Sequence, residues 1–129
     1  IDNKGINIIV DEQADLYETG ISEMELQRVI SNILRNSITA IKSNGVITIK
    51  TYYGLNNIII KIQNNGPKIE ENIIDKIFEV GFSTKDDKGS NHGFGLAIVK
   101  EIIESYCGNI SVSSSEKFTE FIIKLPFKN

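Results

Sequence analysis

The chain has 129 residues, 40% of them hydrophobic and 24% charged, with a formal net charge of −3. That is the make-up of one globular α/β domain with a core, and its acidic balance leaves no basic stripe on which nucleic-acid binding could rest. One histidine excludes a histidine-rich metal centre, one cysteine excludes an internal disulfide, and no apolar run approaches the length needed to span a membrane.

The chain starts at Ile1 without a Met and shows no signal peptide, which suggests a domain cut from a longer protein. Gly5 to Val10 alternates well enough for a strand, and Asp11 to Gly20 is polar and loop-like. Ser22-Glu23-Met24-Glu25 fits a capping box, in which the serine hydroxyl caps a helix and Glu25 reaches back. Leu26, Val29, Ile30, Ile33, Leu34, Ile38 and Ile41 then recur at helical spacing and predict a helix to about Lys42. Asn44-Gly45 ends it with a turn. Val46 to Tyr53 and Asn57 to Gln63 read as strands joined by Gly54-Leu55-Asn56, and Asn64 to Pro67 breaks the second of them. Glu70 to Phe78 is a short helix, Phe82 to Asn91 a loop, and Phe94 to Cys107 a helix stopped by Gly108. Cys107, beside Tyr106 at that helix end, reads as a small buried residue rather than a nucleophile. Asn109 to Ser114 and Phe118 to Pro126 form a closing hairpin. Strands that pair locally, with helices inserted between them, predict an α/β fold: a two-layer α/β sandwich with a mixed sheet and helices on one face.

Four stretches carry chemistry when taken together. Asn32 and Asn36 are four apart, so they share a helix face; an amide oxygen there can ligate Mg²⁺ or hold its water. Asn64-Asn65-Gly66-Pro67 ends a strand, where a side-chain acceptor could take the amino group of a purine while Gly66 turns the backbone close to the base. Ile77-Phe78-Glu79-Val80-Gly81-Phe82-Ser83-Thr84-Lys85 sets two aromatics around a glycine, anchoring a loop whose Lys85 could reach phosphate. His92-Gly93-Phe94-Gly95-Leu96 opens a helix with two glycines, and such a start offers backbone N–H groups and a favourable dipole to an anion. Neither the Walker pattern nor the dinucleotide fingerprint is matched. Each stretch alone is also ordinary: solvated asparagines, a strand-ending turn, a core-anchored loop, a glycine-started helix.

In order and spacing, with Thr119-Glu120-Phe121 added, these stretches resemble the catalytic ATP-binding domain of sensor histidine kinases, in the wider Bergerat-fold (GHKL) ATPase superfamily. The resemblance covers about Gly5 to Pro126. It implies a mostly antiparallel sheet of about five strands with three helices on one face, filling residues 1–129 as one domain of a longer protein. It implies ATP and Mg²⁺ as ligands, with Asn36 as the metal-binding residue and Asn32, Asn36 and Lys85 as the catalytic set. Nucleotide contacts are implied at Asn36, Asn64, Gly66, Lys68, Ile69, Phe78, Phe82, Ser83, Thr84, Lys85, His92, Gly93, Phe94, Gly95, Leu96 and Thr119. Asn32 stands where hydrolysing branches hold a water-activating glutamate; an amide lacks that basicity, which favours phosphoryl transfer over hydrolysis.

The chain departs from the family pattern at three positions. Asn64 replaces an aspartate that contacts the adenine amino group, so a charge-assisted hydrogen bond worth about 1 kcal/mol or somewhat more is lost. Lys68 replaces the second glycine of that box, and Phe118 a glycine before Thr119. The resemblance further implies that the phosphoacceptor histidine lies on a separate helical hairpin of a dimeric parent, that a response-regulator receiver domain is the downstream partner, and that this domain is cytoplasmic and touches neither nucleic acid nor membrane while its parent is membrane-anchored. Two alternatives stand beside this: a degenerate scaffold with weak or no nucleotide binding, for which Asn64 and Lys68 speak, and an anti-sigma-factor serine kinase of the same fold.

Overall fold

The computed structural model describes residues 5–79 and 92–128, the side chains of 92–94 excepted. Its elements in chain order are β1 (Asn7–Glu12), a 3-10 turn at Leu16–Glu18, α1 (Glu23–Ala40), β2 (Val46–Tyr53), β3 (Asn57–Asn64), α2 (Glu71–Ile74), α3 (His92–Ser105), β4 (Asn109–Ser114) and β5 (Thr119–Pro126). They form a five-stranded sheet in the order β1-β2-β3-β5-β4. β1 runs parallel to β2, and the remaining pairs are antiparallel. The mixed, mostly antiparallel sheet expected from the sequence is therefore present, and α1 is the crossover that a parallel β1–β2 pair requires.

Alternation along the strands decides which face is covered. In β3 every second residue is buried, giving Ile58, Ile60, Ile62 and Asn64; β5 does the same with Thr119, Phe121, Ile123 and Leu125. Strand register assembles these into rows. One row runs Ile49–Ile62–Phe121–Val112 and the next Thr51–Ile60–Ile123–Ile110. The row at the end of the sheet is different: Ile47–Asn64–Thr119–Ser114 is polar over three strands. α1 covers this face with Val29, Ile33 and Ser37, spaced four apart, and α3 with Leu96, Val99, Ile102 and Ile103. Full burial of a residue such as Ile33 contributes roughly 1.5–3 kcal/mol. The opposite face carries Lys50, Tyr52, Lys61, Gln63 and Glu120, with a shallow open depression among them.

Element ends differ from the sequence reading in instructive ways. β1 lies two residues later than expected, and a 3-10 turn capped by the Asp15 carboxylate sits inside the predicted 11–20 loop. α1 starts at its Ser22 cap, where the hydroxyl accepts from Glu25 N at 3.2 Å, but stops at Ala40 because Ile41 is extended. The short helix is only Glu71–Ile74, continued by turns that carry Ile77 and Phe78 to the core. α3 starts and ends two residues earlier than predicted. It closes with hydrogen bonds from Gly108 N to Ile103 O and from Cys107 N to Glu104 O, the pair that defines a Schellman cap. The left-handed residue of that cap is Cys107, with φ of 65°, not the glycine. The expectation of a buried Cys107 is wrong: a residue at this cap points away from the helix it ends, and the thiol is exposed.

Candidate functional site

The polar end row is the floor of the candidate site. Asn64 is only 3% exposed and Thr119 2%. The Asn64 Oδ1 accepts from Gly66 N at 2.8 Å, and its Nδ2 donates to Ser37 Oγ on α1 at 3.2 Å. Thr119 and Ser114 share a hydroxyl–hydroxyl hydrogen bond of 2.6 Å, and Ile69 N donates to Ser114 Oγ at 2.9 Å. The segment after β3 is thereby stitched to β4 over the end of β5. Gly66 is required by a close approach: a Cβ there would sit 2.9 Å from Asn64 Oδ1 and 3.4 Å from Ile41.

α1 forms the first wall. Asn32 and Asn36 lie one turn apart, Asn32 half-buried and Asn36 exposed. Asn32 Oδ1 accepts from Arg35 Nη1 at 3.0 Å, so its amide oxygen is already engaged and a guanidinium stands beside the asparagine face. Among the described residues the Asn36 amide has no such partner and is open to solvent. α3 forms the second wall. Its first residues are His92, Gly93, Phe94 and Gly95, so the glycines lie within the first helical turn, where backbone N–H groups have no partner inside the helix. A Cβ added at Gly95 would lie 3.8 Å from Asn32 Oδ1, which sets this turn against the asparagine face of α1. Leu96, 7% exposed, packs the helix down immediately afterwards.

Phe78 is partly buried against the core and meets Phe121 edge-to-face at 6.4 Å, with Lys100 Nζ 6.0 Å from its ring centre. Lys68 is exposed. Phe82, Ser83, Thr84 and Lys85 lie outside the described residues, as do the side chains of His92 and Phe94. The structure thus brings together Asn32, Asn36, Asn64, Gly66, Ile69, Gly95 and Thr119 around the open ends of β3, β5 and α3. Sequence reasoning missed Ser37, Ser114 and Arg35. Ser37 could have been found as the one hydroxyl on the buried stripe of α1; Ser114 becomes visible only when strand register places it beside Thr119.

Residues 21–129 match the family described as histidine kinase-, DNA gyrase B-, and HSP90-like ATPase. The chain belongs to that family. Within it, the likeness is to sensor kinases. The sensor protein CitS of Halalkalibacterium halodurans is 33% identical over 119 residues, 87% of this chain and 22% of that protein. The sensor histidine kinase DcuS of Escherichia coli K12 is 30% identical over 128 residues, 95% of this chain and 23% of that protein. The chain therefore spans less than a quarter of the length of these curated relatives. The solved catalytic domain of the histidine kinase ThkA superposes with a TM-score of 0.83 at 28% identity, over 96% of this chain and 80% of that one. This is the histidine-kinase ATPase domain of two-component sensors, in the GHKL fold. No described helix is long and apolar enough to cross a membrane.

Proposed function

We propose that this domain binds Mg-ATP and donates the γ-phosphoryl group to a histidine on a separate helical hairpin of a longer sensor kinase. The observation that carries the proposal is the meeting of three features at one end of the sheet: the polar Asn64–Thr119–Ser114 row, the open Asn36 amide, and the glycine-bearing first turn of α3 against Asn32. Together they supply hydrogen-bonding groups for a base, an oxygen for a hard cation and backbone donors for phosphate.

Each group then has one task. Asn64, Gly66, Lys68, Ile69 and Thr119 hold the base end, and Phe78 and Phe82 belong to the same set of nucleotide contacts. Backbone N–H groups at Gly93 and Gly95 orient the phosphates, and Leu96, His92, Phe94, Ser83, Thr84 and Lys85 are the further phosphate-side contacts of this reading. The residues fit Mg²⁺ because the exposed Asn36 amide has no hydrogen-bond partner among the described residues; when bound, the ion neutralises charge on the phosphate oxygens. Asn32 has no basic lone pair and its oxygen already accepts from Arg35, so it positions neighbouring groups and does not activate water. Catalysis is positioning and charge neutralisation, which suits transfer to a protein histidine. Residues 1–129 are one cytoplasmic domain of a membrane-anchored, dimeric parent whose phosphorylated histidine passes the group to a response regulator. The solved complex of ThkA with the response regulator TrrA, 26% identical to this chain with a TM-score of 0.77, supports that partner class.

Isothermal titration with ADP, with and without Mg²⁺, tests the reading. Binding is expected to need Mg²⁺, and Asn36→Ala to weaken it by about tenfold or more, the loss of one charge-assisted contact. Because Asn36 is exposed, the melting temperature should stay nearly unchanged. No heat at millimolar Mg-ADP would favour a degenerate scaffold.

A further inference from the structure

We infer that Asn64 makes the base end of this pocket accept 6-oxopurine nucleotides alongside adenine nucleotides. The inference rests on the nucleotide reading above and specifies the base class that reading leaves open. It begins with the direction of two hydrogen bonds. The Gly66 backbone N–H can only donate, and it lies 2.8 Å from the Asn64 side chain, so the atom facing it is the amide oxygen. The amide nitrogen then faces Ser37 Oγ at 3.2 Å, and the serine must accept there. A carboxylate at the same place would accept at both oxygens, and Ser37 would have to donate. Asparagine therefore reverses the Ser37 hydrogen bond.

The reversal leaves a donor behind. Nδ2 carries two hydrogens, and among the described residues only Ser37 takes one of them. The side chain is 3% exposed, and a buried N–H without an acceptor is costly, so this hydrogen calls for a ligand or a water. Oδ1 meanwhile keeps one lone pair beyond the bond from Gly66. Asn64 can thus accept from the 6-amino group of adenine or donate to the 6-oxo group of hypoxanthine or guanine. An acidic residue offers acceptors alone and repels the 6-oxo oxygen.

The test is competitive displacement of a fluorescent ADP analogue by Mg-ADP and Mg-IDP, on the wild-type domain and on Asn64→Asp. IDP carries the 6-oxo group without guanine's 2-amino group, so only the edge that Asn64 faces is changed. Wild-type affinities for the two are expected to lie within about thirtyfold, inside what one base-edge pair discriminates. Asn64→Asp is expected to shift the ratio towards ADP by about tenfold or more, as one such pair does. A wild-type preference for ADP above that limit, or a ratio unmoved by Asn64→Asp in a folded variant, overturns the inference while leaving nucleotide binding intact. Displacement by neither nucleotide overturns the nucleotide reading itself, and this inference with it. Should Asn64→Asp fail to fold, the wild-type ratio alone decides.

Discussion

Ser37 shows how much one hydroxyl on a buried helix stripe can hold. It is fully buried and is the acceptor for Asn64 Nδ2. Ser37→Ala leaves both hydrogens of that amide unmet and should cost about 1–3 kcal/mol, the penalty for a stranded buried polar group. Thr119→Val removes one hydroxyl of a pair, yet Ser114 keeps its bond from Ile69 N, so the cost should be nearer 1 kcal/mol. Urea denaturation of the two variants checks this order. The placement of Asn36 beside Asn32 on one face of α1, and of Gly95 in the first turn of α3, was legible from spacing, because residues four apart share a face and glycines open helices. Ser37 was hidden because a serine on an apolar stripe reads as tolerated, and nothing in its own neighbourhood names the partner that lies 27 positions away in the chain.

At the scale of elements, the glycines that looked like helix stops do a different job. Both expected stops, Gly45 and Gly108, follow a non-glycine residue that takes the left-handed conformation: Asn44, with φ of 54°, and Cys107, with φ of 65°. The glycines are needed for space. A Cβ at Gly108 would lie 2.3 Å from the Lys124 carbonyl oxygen, which is backbone in the sheet and cannot step aside. A Cβ at Gly45 would meet the Ile41 side chain at 2.5 Å, and a side chain can rotate. Gly108→Ala should therefore destabilise by clearly more than Gly45→Ala, with about 1–3 kcal/mol as the usual cost of overpacking for the milder one. Thermal melts of the two variants decide it. The N-terminal signal of α1 was read correctly, since a capping box is local chemistry; Ser22→Ala should cost about 1 kcal/mol. Helix ends were misread by two residues in α1 and α3 and by four in α2; at α1 tertiary contact sets the boundary, through Ile41, which is 2% exposed in the core.

For the whole molecule, element order, helical layer and mixed sheet followed from periodicity and turn residues. The parallel setting of β1 and the row-by-row register did not, because both depend on how distant strands meet. Register is what turns three scattered positions, Asn64, Thr119 and Ser114, into neighbours. It also sorts charge: Lys61 lies on the open face, where the Tyr52 hydroxyl, and then Glu120, hold its proton above the usual lysine range. A lysine with a raised value contributes its share of stability in full below about pH 10.5 and loses it only above that, so pH changes near neutrality should leave Lys61's contribution to the fold's stability unchanged, as urea denaturation at several pH values would show.

The polar end row has a consequence for the energetics of the domain as a receptor. The sheet gives up apolar burial at that end, so its floor contributes least to cohesion when nothing lies on it. A ligand that satisfies those groups binds the folded chain alone and adds its own free energy to folding, about 2.7 kcal/mol at a hundred times its dissociation constant. The melting temperature then becomes a calibrated meter of occupancy, and a panel of nucleotides ranked by the shift each produces would map the floor's chemical preferences without any measurement of turnover.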